Sequence, residues 1–156
     1  MDTAAWHVFT NVCFWSPFCA WITAQVTKTL CSFSRTQKLD LFSYLVSTGG
    51  MPSAHSAMIT GLATSVGITQ GFGSTVFCIA LATALIVMFD AATVRRASGL
   101  QARLLNEMVD ELFKKHRFNE RKLAELLGHT RLEVFMGMIV GILMAIIVTS
   151  VPYLNR

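Results

Sequence analysis

The stretch LFSYLVSTGGMPSAHSAMITGLATSVGITQGFGSTVFCIALATALIVMF, residues Leu41 to Phe89, contains no Asp, Glu, Lys or Arg. One membrane-crossing helix requires roughly 20 apolar residues, so an uncharged interval of this length holds more than one element. Gln70-Gly71-Phe72-Gly73-Ser74 is its turn signal. It divides a second span, about Ser53 to Thr69, from a third, Ser74 to about Ala92. Thr60, Gly61, Thr64, Ser65 and Gly67 make the second span weakly hydrophobic but suited to close helix contact, which predicts a place at the centre of a bundle.

The flanking sequence extends this pattern. No formal charge occurs from Thr3 to Thr27, a run that carries Trp6, Trp15 and Trp21 and reads as a first span over about residues 4–27, with Pro17 predicting a kink or break. No Lys or Arg precedes that run, so the basic leader of a secretory signal is missing and the segment is expected to be retained. Asp40 to Ser47 reads as a short interfacial or buried half-helix ended by Gly49-Gly50. Residues 95–131 mix nine basic with five acidic side chains; Leu104, Leu105, Met108, Val109, Leu112 and Phe113 recur at helical spacing, so a cytoplasmic amphipathic helix is expected there, in water. Asn119 is placed to cap a second short helix through Leu127. Leu132 to Val151 is the last span, and Gly137 and Gly141 give it a GxxxG face that also admits a homo-oligomer.

The fold class is therefore an all-α integral membrane bundle of about four spans plus the two accessory helices. A composition 53% hydrophobic and 14% charged, with mean hydropathy +0.53, excludes an ordinary soluble domain of 156 residues. Cys13, Cys19, Cys31 and Cys78 lack metal or disulfide spacing and read as free thiols packed as small hydrophobes. Twelve of the 13 Lys and Arg lie between spans one and two or between three and four, which by the positive-inside rule puts both connections in the cytoplasm and both termini outside. The net charge of +4 would attract anionic headgroups. Because acids are interleaved with these bases, with no aromatic stacking positions, no nucleic-acid partner is expected.

Two histidine motifs stand at span entrances on that same side. In Pro52-Ser53-Ala54-His55 the helix start offers unpaired N–H groups and the Ser53 hydroxyl to a phosphate, with His55 positioned to move a proton to or from a ligand oxygen. The same residues also suit a plain cap with an interfacial histidine. His129 and Glu133 are four apart, on one helical face, so the carboxylate can hold one imidazole nitrogen and leave the other to attack. A simple pair capping the helix entrance has the same spacing. Asp90, Arg95 and Arg96 flank the third span, where the arginines suit bidentate phosphate contact or membrane anchoring. Lys28, just past the first uncharged run, is open to both readings, and Gln101, Arg103 and Asn106 are further candidates on the basic helix.

Pro52-Ser53-Ala54-His55 together with Gly128-His129, Glu133-Val134, Gly137 and Gly141 resembles the type 2 phosphatidic acid phosphatase superfamily, which includes the vanadium-dependent haloperoxidases. With Met88-Phe89-Asp90-Ala91-Ala92 and Val94-Arg95-Arg96, the whole chain looks like its small divergent bacterial branch. The resemblance implies one membrane-embedded, phosphatase-like domain over residues 1–156, in the bacterial inner (cytoplasmic) membrane, and the Lys and Arg distribution puts its site on the cytoplasmic side. It implies Lys28 and Ser53 as phosphate ligands, His55 as general acid, His129 as nucleophile and Glu133 as its orienter. The substrate class it implies is a lipid phosphate or pyrophosphate, and the visible residues call for no metal or cofactor. The chain departs from the superfamily pattern at Ala54, where Gly is usual, at Glu133 in place of Asp, at Leu123 in place of Arg, and in having no Arg-Pro after Lys28. Arg95 or Arg96 is the candidate replacement for the missing guanidinium. The competing reading is a lipid-phosphate binder or carrier without catalysis. A single site further requires that His55 and His129 approach one another across the bundle.

Overall fold

The computed structural model describes residues 7–36, 50–112 and 129–151, and every element among them is a helix. In chain order these are α1 (His7–Thr10), α2 (Val12–Thr36), α3 (Ala54–Gln70), α4 (Thr75–Ala92), α5 (Val94–Leu112) and α6 (Arg131–Thr149). The expected Asp40–Ser47 and Asn119–Leu127 segments lie outside the described residues.

Three of these helices begin where a hydroxyl can satisfy orphan N–H groups. Ser53 caps α3 by accepting from Ser56 N–H, Ser74 caps α4 by accepting from Phe77 N–H, and Thr130 caps α6 by accepting from Glu133 N–H. The Gly71–Ser74 turn joins α3 to α4 as expected, with Gly71 at φ 87°. The first span is corrected in two ways. The break falls at Asn11, whose side-chain oxygen accepts from Cys13 N–H at 2.8 Å, while α2 runs on through Pro17. Pro17 sits in the second turn of α2, where its missing N–H deprives one carbonyl, that of Cys13, of its usual partner. At its other end α2 runs past the uncharged stretch to Thr36, so Lys28 is inside the helix and not beyond it.

The central position expected for the polar second span is observed. α3 packs against α2, α4 and α6 together, and its buried residues include Ser56, Thr60, Gly61, Ser65 and Gly67. Three of its hydroxyls are satisfied by bonding within the helix: Thr60 donates to Ser56 O at 2.6 Å, Ser65 to Leu62 O at 2.9 Å and Thr69 to Ser65 O at 2.8 Å. The GxxxG face of α6 is consumed by this contact. A side chain at Gly137 would run into Ser53 O, and one at Gly141 into Thr60 Oγ1 and Ala57 O, so the face packs on α3 within the chain and is not left open for a second copy.

Among the described residues two helices, Thr75–Ala92 and Arg131–Thr149, are long and apolar enough to cross a membrane. Their outward faces are apolar and uncovered, with Ile86 and Phe89 on α4 and Phe135 and Ile147 on α6 all exposed. All four cysteines are free, as expected, but Cys31 and Cys78 are exposed instead of packed because they point away from the bundle.

Candidate functional site

The start of α3 and the start of α6 are bound to each other by the backbone: Ser53 N–H donates to Glu133 O at 3.0 Å. That bond, together with the close approach at Gly137, brings the two histidine motifs to one end of the bundle. The His55 and His129 rings lie 6.4 Å apart, centroid to centroid, at 56°. The approach that a single site requires is therefore present.

His129 is 3% exposed, and its Nδ1 lies 3.0 Å from Glu133 Oε2. A carboxylate only accepts, so Nδ1 carries a proton, and in the neutral ring the lone pair is on Nε2. The same Oε2 also accepts from Thr130 N–H at 3.1 Å, completing a capping box with the Thr130 hydroxyl. The two readings of this motif thus coexist: the cap of α6 is what fixes the carboxylate, and the fixed carboxylate orients the ring. Thr130 was not singled out from the sequence, although Thr-x-x-Glu ahead of an apolar run is the signal that would have found it.

His55, in the first turn of α3, is exposed and faces the buried His129. Ser53 is fully buried, and its hydroxyl oxygen accepts from both Ser56 N–H and Ser56 Oγ–H, at 3.4 and 3.1 Å. Pro52 precedes the cap instead of opening the helix. Lys28 reaches this end from α2. It is 5% exposed, its alkyl stem passes within 3.6 Å of the point where a side chain at Gly50 would begin, and its ammonium feels the charge of Glu133. Gly50 has φ 96°, a backbone conformation that suits glycine at the bend leading into the motif.

The structure thus gathers Lys28, Ser53, His55, His129 and Glu133. Asp90 is half-buried in the last turn of α4. Arg95 and Arg96 stand in the first turn of α5, with their side chains outside the described residues. Arg103 is taken up by an exposed pair with Glu107 at 3.0 Å, Gln101 is exposed, and Asn106 is buried. Beside the histidine end, an open apolar groove of about 350 Å³ runs between α4 and α6, lined by Leu85, Met88, Phe89, Ala92, Val134, Phe135 and Met138 with Arg131. Arg131 is a residue that sequence reasoning passed over, since a lone arginine before an apolar run looks like any membrane anchor.

A helical bundle with two helices long and apolar enough to cross a membrane, and with a histidine at the entrance of each of two helices meeting at one end, defines the class as a helical membrane protein. The family comparison agrees: residues 9–144 match the model of the Divergent PAP2 family, and the chain belongs to that family. It is similar to the "Uncharacterized membrane protein YuiD" of Bacillus subtilis (strain 168), with 40% identity over 152 residues that cover 90% of this chain and 96% of the relative. No solved structure matches.

Proposed function

We propose that the protein hydrolyses a lipid phosphate or pyrophosphate through a histidine nucleophile at the cytoplasmic face of the membrane. The observation that carries this reading is the 6.4 Å separation of His55 from a His129 whose Nδ1 is held by Glu133. A nucleophile needs to come within about 3–3.5 Å of the reacting atom, and a general acid within about 2.6–3.2 Å of the leaving oxygen, so one phosphate between the rings reaches both.

In the first step His129 Nε2 attacks phosphorus and forms an N–P bond while the bond from phosphorus to the lipid oxygen breaks. His55 gives its proton to that oxygen and releases the alcohol, or the shorter phosphate if the substrate is a pyrophosphate. Glu133 stabilises the imidazolium character that develops on His129, and it does so without reorganising because the capping box already holds it. In the second step the now neutral His55 takes a proton from water, whose oxygen attacks phosphorus, and the N–P bond breaks to return His129 and inorganic phosphate. Lys28, Ser53 and one of Arg95 and Arg96 stabilise the equatorial oxygens, where negative charge accumulates. A lipid substrate is supported by the apolar groove next to the site, and the cytoplasmic placement by the distribution of Lys and Arg.

Leu123 in place of the superfamily arginine and the absence of Arg-Pro after Lys28 favour a second reading, a lipid-phosphate binder that does not turn over. Release of inorganic phosphate by purified protein across phosphatidic acid, phosphatidylglycerol phosphate and isoprenoid pyrophosphates separates the two. Hydrolysis is expected on at least one of them. Tight headgroup-dependent binding with no release on any would establish the binder.

A further inference from the structure

The amphipathic helix α5 is turned opposite to what a helix in water requires. Its apolar positions Val94, Leu100, Leu104, Leu105 and Met108 are exposed, Leu104 at 58% and Met108 at 51%, whereas Gly99 and the polar Asn106 on its other side are buried. At 3.6 residues per turn Val94, Leu104, Leu105 and Met108 share one face, broken only by the exposed Gln101, and Gly99 and Asn106 lie away from it, so the apolar exposure is gathered on one side of the helix and not scattered. Among the described elements α5 packs only on α4. A stripe of this extent needs a cover.

Two observations say what the cover is. Thr93 alone separates α5 from α4, the helix that is long and apolar enough to cross a membrane, and its φ of −122° and ψ of −67° break the helical path between them. α5 therefore starts at the depth where α4 leaves the bilayer, at the same end as the His55 and His129 motifs. The bare face of α4 leads toward it: Leu85, Ile86 and Phe89 are exposed on the last turns of α4, and Val94 is exposed at the start of α5. At the edge away from the stripe, Arg103 and Glu107 pair in the open with side chains 62% and 59% exposed, as residues facing water do.

We propose that α5 is an interfacial helix that lays its Val94–Leu104–Leu105–Met108 face into the leaflet at the histidine end, with Arg103 and Glu107 toward water. The occupant of the stripe is the boundary between headgroups and acyl chains of the protein's own bilayer. Helices seated in this way lie about 5–10 Å into that boundary. The proposal does not depend on hydrolysis at the histidine site.

Spin labels placed one at a time at Leu104→Cys, Met108→Cys, Arg103→Cys and Glu107→Cys test it, in the full chain with Cys13, Cys19, Cys31 and Cys78 changed to Ala, in vesicles of phosphatidylglycerol and phosphatidylethanolamine. Labels at 104 and 108 are expected to collide freely with oxygen and about tenfold less with a water-soluble nickel chelate than labels at 103 and 107. Equal nickel access at all four would overturn the proposal and leave α5 in water. Exclusion of both reagents from 104 and 108 would also overturn it: with dipolar broadening that grows with protein density the cover is a second copy, and without broadening it is another part of this chain. Should the labelled chains fail to assemble, hydroxyl-radical oxidation of Met108 in the unmodified protein reads the same question. Protection in vesicles that is lost on unfolding in detergent is expected, and oxidation equal in both states contradicts the inference.

Discussion

At Glu133 one carboxylate oxygen accepts from both His129 Nδ1 and Thr130 N–H, so a single residue sets the tautomer of the proposed nucleophile and the cap of the helix behind it. The two histidines then separate cleanly in what their removal does. His129→Ala leaves no atom to form the N–P bond and is expected to abolish phosphate release from every substrate. His55→Ala removes a proton donor, an effect worth about 10²–10⁴-fold when the leaving group is a poor alkoxide. With an aryl phosphate, which departs without help, the same variant is expected to keep measurable phosphoenzyme formation. Glu133→Gln keeps an acceptor for the cap but loses the charge that stabilises the imidazolium, and its turnover is expected to fall between those of the histidine variants. Steady-state rates on a lipid phosphate and an aryl phosphate, side by side, check all three; a His55→Ala penalty equal on both substrates would remove His55 from the role of acid.

At the scale of the elements, α3 and α6 hold the site because their backbones touch at Gly137 and Gly141 and because each helix begins at a hydroxyl cap. Thr130→Ala removes the cap of α6 and is expected to cost about 1 kcal/mol of stability, seen as a lower melting temperature in detergent, while also loosening Glu133 and slowing turnover. Gly141→Leu drives a side chain into Thr60 and Ala57, an overpacking that costs typically about 1–3 kcal/mol, whereas Gly73→Ala meets nothing within 4 Å and is expected to melt like the parent. A melting temperature for Gly141→Leu equal to that of Gly73→Ala would mean that the helices do not approach as described. Much of this was legible beforehand. The Gln70–Ser74 turn, the cap at Ser53 and the central place of α3 follow from glycine, serine and small-residue spacing, which are local signals. The Asn11 break and the continuity of α2 through Pro17 were not, because an asparagine cap one residue before a helix looks like any polar residue in an apolar run, and a proline near a helix start costs too little to stop it.

For the whole molecule, the convergence of Lys28, Ser53, His55, His129 and Glu133 is a tertiary fact that the sequence expressed only as two motifs on one side of a membrane. Periodicity located the helices, but nothing in a single chain says which faces meet; the outward stripe of α5 shows this, since hydrophobic spacing there predicted an amphipathic helix without saying which way it turns. The distribution of Lys and Arg predicts four spans with the Lys28–Asp40 and Arg95–Arg131 connections inside, and labelling of single cysteines at the water-facing positions 103 and 107 by a membrane-impermeant reagent is expected to succeed only after the cells are opened. Labelling from outside intact cells would move the histidines to the other face. The central claim, that His129 carries the phosphoryl group, is tested most directly by trapping the intermediate: the purified chain is quenched in alkali during turnover of a radiolabelled lipid phosphate, and the modified residue is mapped. A label on His129 that survives alkali, is lost in acid and is absent from His129→Ala is the predicted result; turnover without such a label, or a label on any other residue, would contradict the account.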